Sequence, residues 1–442
     1  MLSLALALAL GVPFHNVRDY GAKGDGVAKD TAAVQAALEA AAKEGGGTVL
    51  VPAGRYLCGT LHLRSSVTLQ VAAGATLAMS PDHADFDPYE KLAYDSHADA
   101  ETTYFHYALL AGEDLHDVAI LGQGTIDGNR SQRGGPKPIA LKRCQRVAIR
   151  GVTVKNAPNY SISFLGCDWV DVDGVTILNG YSDGIDPDSS RYVRISNCFI
   201  DSWDDAICPK ASLALGAPRS TEHVTVTNCV LSTSCNNIKL GTESSGDFKN
   251  LAFSNCAMFR RPGARRPISG ISMESVDGSH IDGIVVSNIT MQDVDTPVFI
   301  RLGNRGRGLD PPVPGSLANV SISNLVATGA LRTCPIAGLP GHPVRRVSLS
   351  DLNLTFQGGE QKAGGLEAPE HPAKYPEATM FGVLPAYGVW ARHVEGLTLR
   401  NVRLRWEQAD ARPPMLFDDV ADLAVDSFTT GTPGSASPAA RK

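Results

Sequence analysis

No stretch of this chain is rich in lysine and arginine, and its formal net charge is −6. That excludes the basic footprint of a nucleic-acid-binding protein. No apolar run reaches the ~20 residues that a membrane-spanning helix needs. Aromatic residues make up only 6% of the chain. The 9 cysteines are an odd number, so they cannot all pair. No CxxC pair and no zinc-ligand spacing occurs, and no metal or other cofactor is expected. What the chain does have is a hydrophobic fraction of 43%, too high for a disordered polypeptide, and 44 glycines spread over 442 residues.

That length is large for one compact core, and a fold that grows in one dimension avoids the limit. The repeats point the same way. Val193-Arg194-Ile195-Ser196-Asn197-Cys198 recurs as Val224-Thr225-Val226-Thr227-Asn228-Cys229 and Leu251-Ala252-Phe253-Ser254-Asn255-Cys256. Further copies centre on Asn288, Asn324 and Asn401, Asp351 takes the same place in another, and Gly151 and Gly174 mark two earlier ones. Each copy reads as a short strand, a bend and a second short strand, with alternate residues apolar and inward. Asparagine suits such a bend because it tolerates the left-handed conformation. The pattern predicts an all-β, single-domain right-handed parallel β-helix, with the asparagines aligned along one edge and Cys198, Cys229 and Cys256 stacked inside as small hydrophobes.

The Ala-rich segment 31–43 predicts an α-helix, with Asp30 as its N-cap and Gly45-Gly46-Gly47 as its stop. This helix would cover the first open coil. Residues 1–12 are apolar enough to be a shortened signal peptide, which implies secretion or a periplasmic location. Residues 13–430 would form the β-helix, and 431–442 a disordered tail. Three stretches break the repeat: 81–107, 303–317 and 356–388. Their Tyr, Arg and His content suits contacts with sugars.

Two polar motifs stand out, Tyr181-Ser182-Asp183-Gly184-Ile185-Asp186 and Ser202-Trp203-Asp204-Asp205-Ala206-Ile207. Asp183 and Asp204 are 21 residues apart, about one coil, so they would lie nearly above each other. Carboxylates gathered in one place can divide into an acid and a base, the equipment for breaking a glycosidic bond. The same residue types also cap turns or hold calcium. Asp186 and Asp188 would support the Asp183 turn, and His223 and His342 receive no catalytic role.

The opening Phe14-His15-Asn16-Val17-Arg18-Asp19-Tyr20-Gly21-Ala22-Lys23-Gly24-Asp25-Gly26 and the later Gly45–Tyr56 segment resemble the start of the pectate-lyase-like β-helix superfamily. The Asp183 and Asp204-Asp205 motifs resemble the Asn-Thr-Asp and Asp-Asp motifs of the polygalacturonases, family 28 of the glycoside hydrolases, over roughly residues 14–430. The chain departs from that pattern twice. Asn236 stands where the family's Gly-His-Gly has histidine, and Ser269–Ser275 has no basic residue where the family has Arg-Ile-Lys. Arg265 and Arg266 lie just upstream of that gap.

The resemblance implies an inverting hydrolase of a pectic or other uronic-acid-containing polysaccharide or oligosaccharide. Asp204 would be the general acid, and Asp183 and Asp205 would hold and deprotonate water. Asn236, Lys239, Glu243, Glu274 and Arg301 are the candidate substrate-binding residues. Lys239 could equally pair with an aspartate, Glu243 and Glu274 could be partners of Lys239, and Arg301 could form a structural ion pair. A polysaccharide lyase and a non-catalytic glycan-binding solenoid are the alternatives.

Overall fold

The computed structural model describes residues 13–362 and 367–431. The expected signal segment 1–12 lies outside them, as does the expected tail beyond residue 431. No helix among the described residues is long and apolar enough to cross a membrane. The chain folds as a right-handed parallel β-helix. It divides into two units, Met1–Asp204 with Ala214–Gly216 and Asp205–Leu213 with Ala217–Lys442.

In the first unit the strands His116–Gly122, Gln145–Arg150, Asp168–Asp173 and Arg191–Ser196 pair in parallel and in register. Val118, Val147, Val170 and Val193 lie over one another, as do Ile120, Ile149, Val172 and Ile195, and all are buried. Each such aliphatic side chain contributes ~1.5–3 kcal/mol by leaving water. A separate face carries five short parallel strands, Leu61–His62, Ala108–Glu113, Lys137–Lys142, Ile162–Leu165 and Ile185–Asp188.

In the second unit the same logic runs through longer strands. Val224, Leu251, Ile284, Val320, Val347 and Leu397 form one buried column. The expected pair of short strands per coil is here one paired run with a left-handed residue in its middle. That residue is Asn255 (φ 54°), Asn288 (φ 56°), Asn324 (φ 51°), Asp351 (φ 55°) or Asn401 (φ 51°). Asn197 and Asn228 adopt the same conformation.

Side-chain amides link many of these corners. Asn324 Nδ2 donates to Asn288 Oδ1 at 2.6 Å, and Asn288 Nδ2 donates to Asn255 Oδ1 at 2.9 Å. Asn401 donates to Asp351 at 2.7 Å and Asn197 to Asp173 at 2.7 Å. The ladder is broken at Asn255, whose amide turns to Thr227 Oγ1 at 3.3 Å. At another corner of the first unit, Asn179 donates to Asn156 at 2.9 Å and Asn156 to Asp127 at 3.0 Å. Cys198, Cys229 and Cys256 are buried, as expected, and each thiol donates to the carbonyl two residues before it. The cysteines are all free thiols.

The predicted helix spans Thr31–Lys43 and buries Val34, Ala37, Leu38 and Ala41 against the first strands. Its stop is as expected: Gly45 is left-handed (φ 86°), and a Cβ on Gly46 would sit 2.5 Å from Ser66 O. Its start is not. Asp30 makes no capping bond to the helix. Its carboxylate instead accepts from Lys23 N at 2.6 Å and Gly24 N at 3.0 Å, closing the preceding turn. A nearby loop with unpaired N–H groups competes for the same oxygens and wins.

Replacing Asn288 should expose the two roles of the corner residue. Asn288→Ala removes two side-chain hydrogen bonds, each worth ~0.5–1.5 kcal/mol, and leaves an alanine in a left-handed site. Asn288→Gly removes the same bonds without that strain, so it should be less destabilising than alanine by ~1 kcal/mol. The midpoints of urea unfolding order the three proteins; alanine and glycine variants of equal stability would disprove the conformational role.

Candidate active site

In the first unit the strands Thr176–Gly180 and Phe199–Ser202 pair in parallel with Gly180 opposite Ser202. A register shift between Ile177 and Gly180 and the left-handed Asn179 bend the chain outward there. Trp203 N donates to Gly180 O at 2.7 Å, so both segments leave the sheet at one level. Asp183 and Asp204 follow these strand ends on successive coils, as the one-coil spacing predicts. Asp183 is buried, and its carbonyl accepts from Ser161 N at 2.9 Å.

Asp204 is more open. Its Oδ2 accepts from Arg133 Nη1 at 2.5 Å. The same guanidinium grips Glu101, with Nε 3.1 Å from both carboxylate oxygens and Nη2 closer still. Ser182 Oγ also donates to Glu101, at 3.2 Å. The Trp203 indole is half-exposed, lies 5.2 Å from the Tyr181 ring and donates to Asn179 Oδ1 at 3.3 Å. Asp186 and Asp188 are buried in the strand that follows Asp183, and Ser189 Oγ donates to Asp188 at 3.0 Å. Lys137 is buried nearby, its ammonium 3.6 Å from the Phe105 ring centre and 3.3 Å from Ser163 Oγ. Burial pushes its pKa down to about 8, against the pull of Asp186, Glu90, Glu101 and Asp99.

In the second unit the strands Asn236–Leu240, Ser269–Ser275 and Thr296–Leu302 pair in parallel and present a polar face. Asp205 is buried against it. Its Oδ1 accepts from Asn236 N at 3.0 Å and Asn236 Nδ2 at 2.7 Å, and its Oδ2 lies 3.3 Å from Lys239 Nζ. Asn236 Oδ1 in turn accepts from Ser269 Oγ at 2.6 Å. Lys239 also meets the Tyr375 hydroxyl at 3.2 Å. Burial opposes its charge, but Asp205, Glu274 and Tyr375 outweigh that and hold the ammonium pKa well above the ordinary value.

Glu243 pairs with Arg307 at 2.8 Å and Lys210 at 3.8 Å. Burial raises its pKa, but these cations prevail and hold it at about 2. Arg305 grips Asp277 at 2.6 and 2.9 Å and donates to Thr242 O at 2.7 Å. Glu274 is fully buried. Ser272 Oγ donates to its Oε1 at 2.5 Å, while its Oε2 has no partner among the described residues. Burial, helped by Glu377 and Asp205, pushes its carboxyl up to about 8 despite Lys239. Burial likewise raises Glu377.

Asn236, Lys239, Glu243 and Glu274 thus gather in one polar cluster with Asp205. Arg301 does not join it. Its guanidinium donates to the carbonyls of Gly338 (2.9 Å) and Glu370 (2.6 Å) and lies over the Phe381 ring, so it pins the 367–371 segment rather than forming an ion pair. Arg266 does not supply the missing basic residue, because Asp295 (2.6 Å), Asp293 (3.2 Å) and a carbonyl occupy it. Sequence reasoning missed Arg133, Glu101 and Glu377. Their one sequence sign is that Glu101 and Glu377 lie in stretches that break the repeat.

The profile described as Glycosyl hydrolases family 28 matches residues 45–365. A probable polygalacturonase of Vitis vinifera is 28% identical over 365 residues, covering 76% of this chain and 73% of that protein. A hyperthermoactive exopolygalacturonase from Thermotoga maritima superposes with a TM-score of 0.69 at 21% identity, over 89% of this chain and 91% of that one. The family 28 exopolygalacturonase of Yersinia enterocolitica gives 0.65 at 17% identity, over 97% and 79%. At these identities the two structures speak to the fold alone.

The raised carboxyl of Glu274 has a measurable consequence for stability. The unfolded chain releases this proton near pH 4.5 and the folded chain only near pH 8. Stability therefore falls as pH rises through that window. Glu274→Gln removes the titration, so the variant should gain on the parent from pH 4.5 to 8 and keep a constant difference outside it. Parallel unfolding curves of the two proteins at each pH test this, and a constant difference throughout would refute it.

Proposed function

Since this chain belongs to family 28 of the glycosyl hydrolases, matched over well beyond half its length, we propose that it cleaves the glycosidic bonds of a pectic, uronic-acid-containing oligosaccharide or polysaccharide with inversion at the anomeric carbon. Asp204 is the general acid, and Asp183 and Asp205 hold and deprotonate the attacking water. The observation that carries this reading is the contrast between two adjacent aspartates. Asp205 is buried, with three donors from Asn236 and Lys239 converging on its oxygens. Asp204 reaches toward solvent, where a leaving oxygen can approach it. Paired carboxyls in unlike surroundings are what an acid–base division requires. Inversion needs room for water, with acid and base ~6.5–9.5 Å apart.

Lys239 and Tyr375 offer a cation and a hydroxyl to the substrate, and Glu243 and Glu274 offer acceptors to sugar hydroxyls. Arg301 acts from behind, by holding the loop that carries Tyr375. The probable-polygalacturonase name of the Vitis vinifera relative supports a galacturonide substrate. The chain lacks the family's Arg-Ile-Lys segment, so weak or no action on unmodified polygalacturonan is expected, in contrast to other pectic oligosaccharides. Such a substrate fits an enzyme working outside the cytoplasm.

Asp204→Asn cannot protonate the leaving oxygen and should lower kcat by ~10²–10⁴-fold. A glycoside with a good leaving group should be far less affected. Asp183→Asn and Asp205→Asn should impair both substrates alike. NMR of the first product should show the inverted anomer; a retained anomer, or full activity in the Asp204→Asn protein, would rule out the assignment. An unsaturated, ultraviolet-absorbing product would instead mark a lyase. Robust turnover of polygalacturonic acid, comparable to that of other pectic oligosaccharides, would contradict the substrate preference.

A further inference from the structure

The guanidinium of Arg332 has no hydrogen-bond or ion-pair partner among the described residues, and its Nε is buried without an acceptor. Arginine is always charged, and a cation drawn into a protein is normally matched. Arg332 lines a cleft of about 270 Å³ in the second unit, together with Leu331, Gly359, Glu360, Val383 and Arg412. We propose that this cleft is a second glycan-binding site, separate from the polar cluster, in which Arg332 takes the carboxylate of a uronate unit. The choice of a uronate rests on the pectic reading given above.

The other charges of the cleft are committed. Arg412 closes on Asp410, with Nε 2.9 Å from Oδ1 and Nη2 2.8 Å from Oδ2, and its Nη1 donates to Leu384 O at 3.2 Å. The Glu360 carboxylate accepts from Gln361 N at 3.0 Å and Lys362 N at 3.1 Å. Arg332 is the cation left to meet an incoming anion, and a carboxylate can match its fork with two parallel hydrogen bonds. Leu331 and Val383 are 38% and 50% exposed and add apolar surface beside it. Apolar lining with a few placed polar groups is the makeup of a ligand site. A sugar acid answers both features, with the C–H groups of its ring and its carboxylate. The walls are already fixed. Arg332 N donates to Asp295 O at 2.8 Å, and Ala378 and Leu384 belong to a buried cluster with Phe299 and Trp390. The register of the strands places the cleft relative to the cluster. Ile207 lies opposite Ile238, Asn236 opposite Ser269, Ser269 opposite Thr296, and Ile300 opposite Ile336. Continued to the strand ends, this register sets Asp205, Asn236, Ser269, Thr296 and Arg332 in one row. Four steps of ~4.8 Å put Arg332 ~19 Å from Asp205. The Tyr375 loop stands between them: Ala378 lines the cleft, while Glu377 beside it feels Lys239, Asp205 and Asn236. Only a chain of several sugar units can occupy both places.

The test is calorimetric titration of the parent, Arg332→Gln and Arg332→Lys proteins with a galacturonate decamer and with its carboxyl-reduced, neutral counterpart. Arg332→Gln should bind the acid about tenfold more weakly than the parent, the loss of one charge-assisted contact, and the neutral chain equally well. Arg332→Lys should recover part of the difference. Thermal unfolding of Arg332→Gln should match the parent, since no partner is lost. A parent and Arg332→Gln of equal affinity for the acid, or a parent with none, would overturn the proposal. So would an equal loss for acid and neutral chains, which is what a merely structural arginine gives. In turnover, Arg332→Gln should raise KM for pectic oligosaccharides of about ten units and leave KM and kcat for those of three units unchanged; equal changes at both lengths would also overturn it. A parent that hydrolyses no pectic oligosaccharide would refute the hydrolase reading, while the calorimetry still decides the site.

Discussion

Each coil of this protein must turn at the same place as its neighbours, and it does so with a residue in the left-handed region. For most residue types that conformation costs ~1–2 kcal/mol, and here it recurs coil after coil, even at Trp169 (φ 56°) and Tyr192 (φ 57°). Those two rings stack on successive coils, 5.5 Å apart and 11° from parallel. The strain is tolerable because it sets the register of the apolar columns beneath. A slip of one residue would turn every inward side chain outward. It would also move Asp183 and Asp204 off the paired strand ends that bring them to one level.

The polar cluster of the second unit exists under the same discipline. Lys210, Lys239 and Arg305 are largely buried, and so are Asp205, Glu243 and Asp277. Taking an ion out of water costs several kcal/mol, so each is matched by a partner on a neighbouring coil or loop. Glu274 shows what happens without full matching: it keeps its proton to about pH 8. The cluster is thus rigid in charge as well as in position, while Asp204 is partly exposed and paired with Arg133.

Much of this was legible in the sequence, for a definable reason. A repeating corner residue, alternating apolar neighbours and the one-coil separation of Asp183 and Asp204 are local properties that stacking simply copies. Asn236, Lys239, Glu243 and Glu274 were singled out together, and the pairing of Asn236–Leu240 with Ser269–Ser275 is what gathers them. Asp30 was misread because its oxygens face two competing sets of N–H donors, and sequence does not say which is nearer. The contacts of Arg301 were not legible because its partners are the carbonyls of Gly338 and of a loop nearly seventy residues away. Arg133 and Glu101 meet through loops whose paths no repeat dictates.

The amide ladder at the corner of the first unit has a polarity. Every bond runs the same way, each side chain donating to the coil before it: Trp203 to Asn179, Asn179 to Asn156, and Asn156 to Asp127. The series ends on an acceptor-only group, a carboxylate that Arg55 clamps at 3.1 Å. Aligned hydrogen bonds polarise one another. The column is therefore a small directed wire, with a fixed negative charge at its foot and an aromatic ring beside Asp204 at its head. The orientation of the Trp203 indole is governed in part by a charge three coils away.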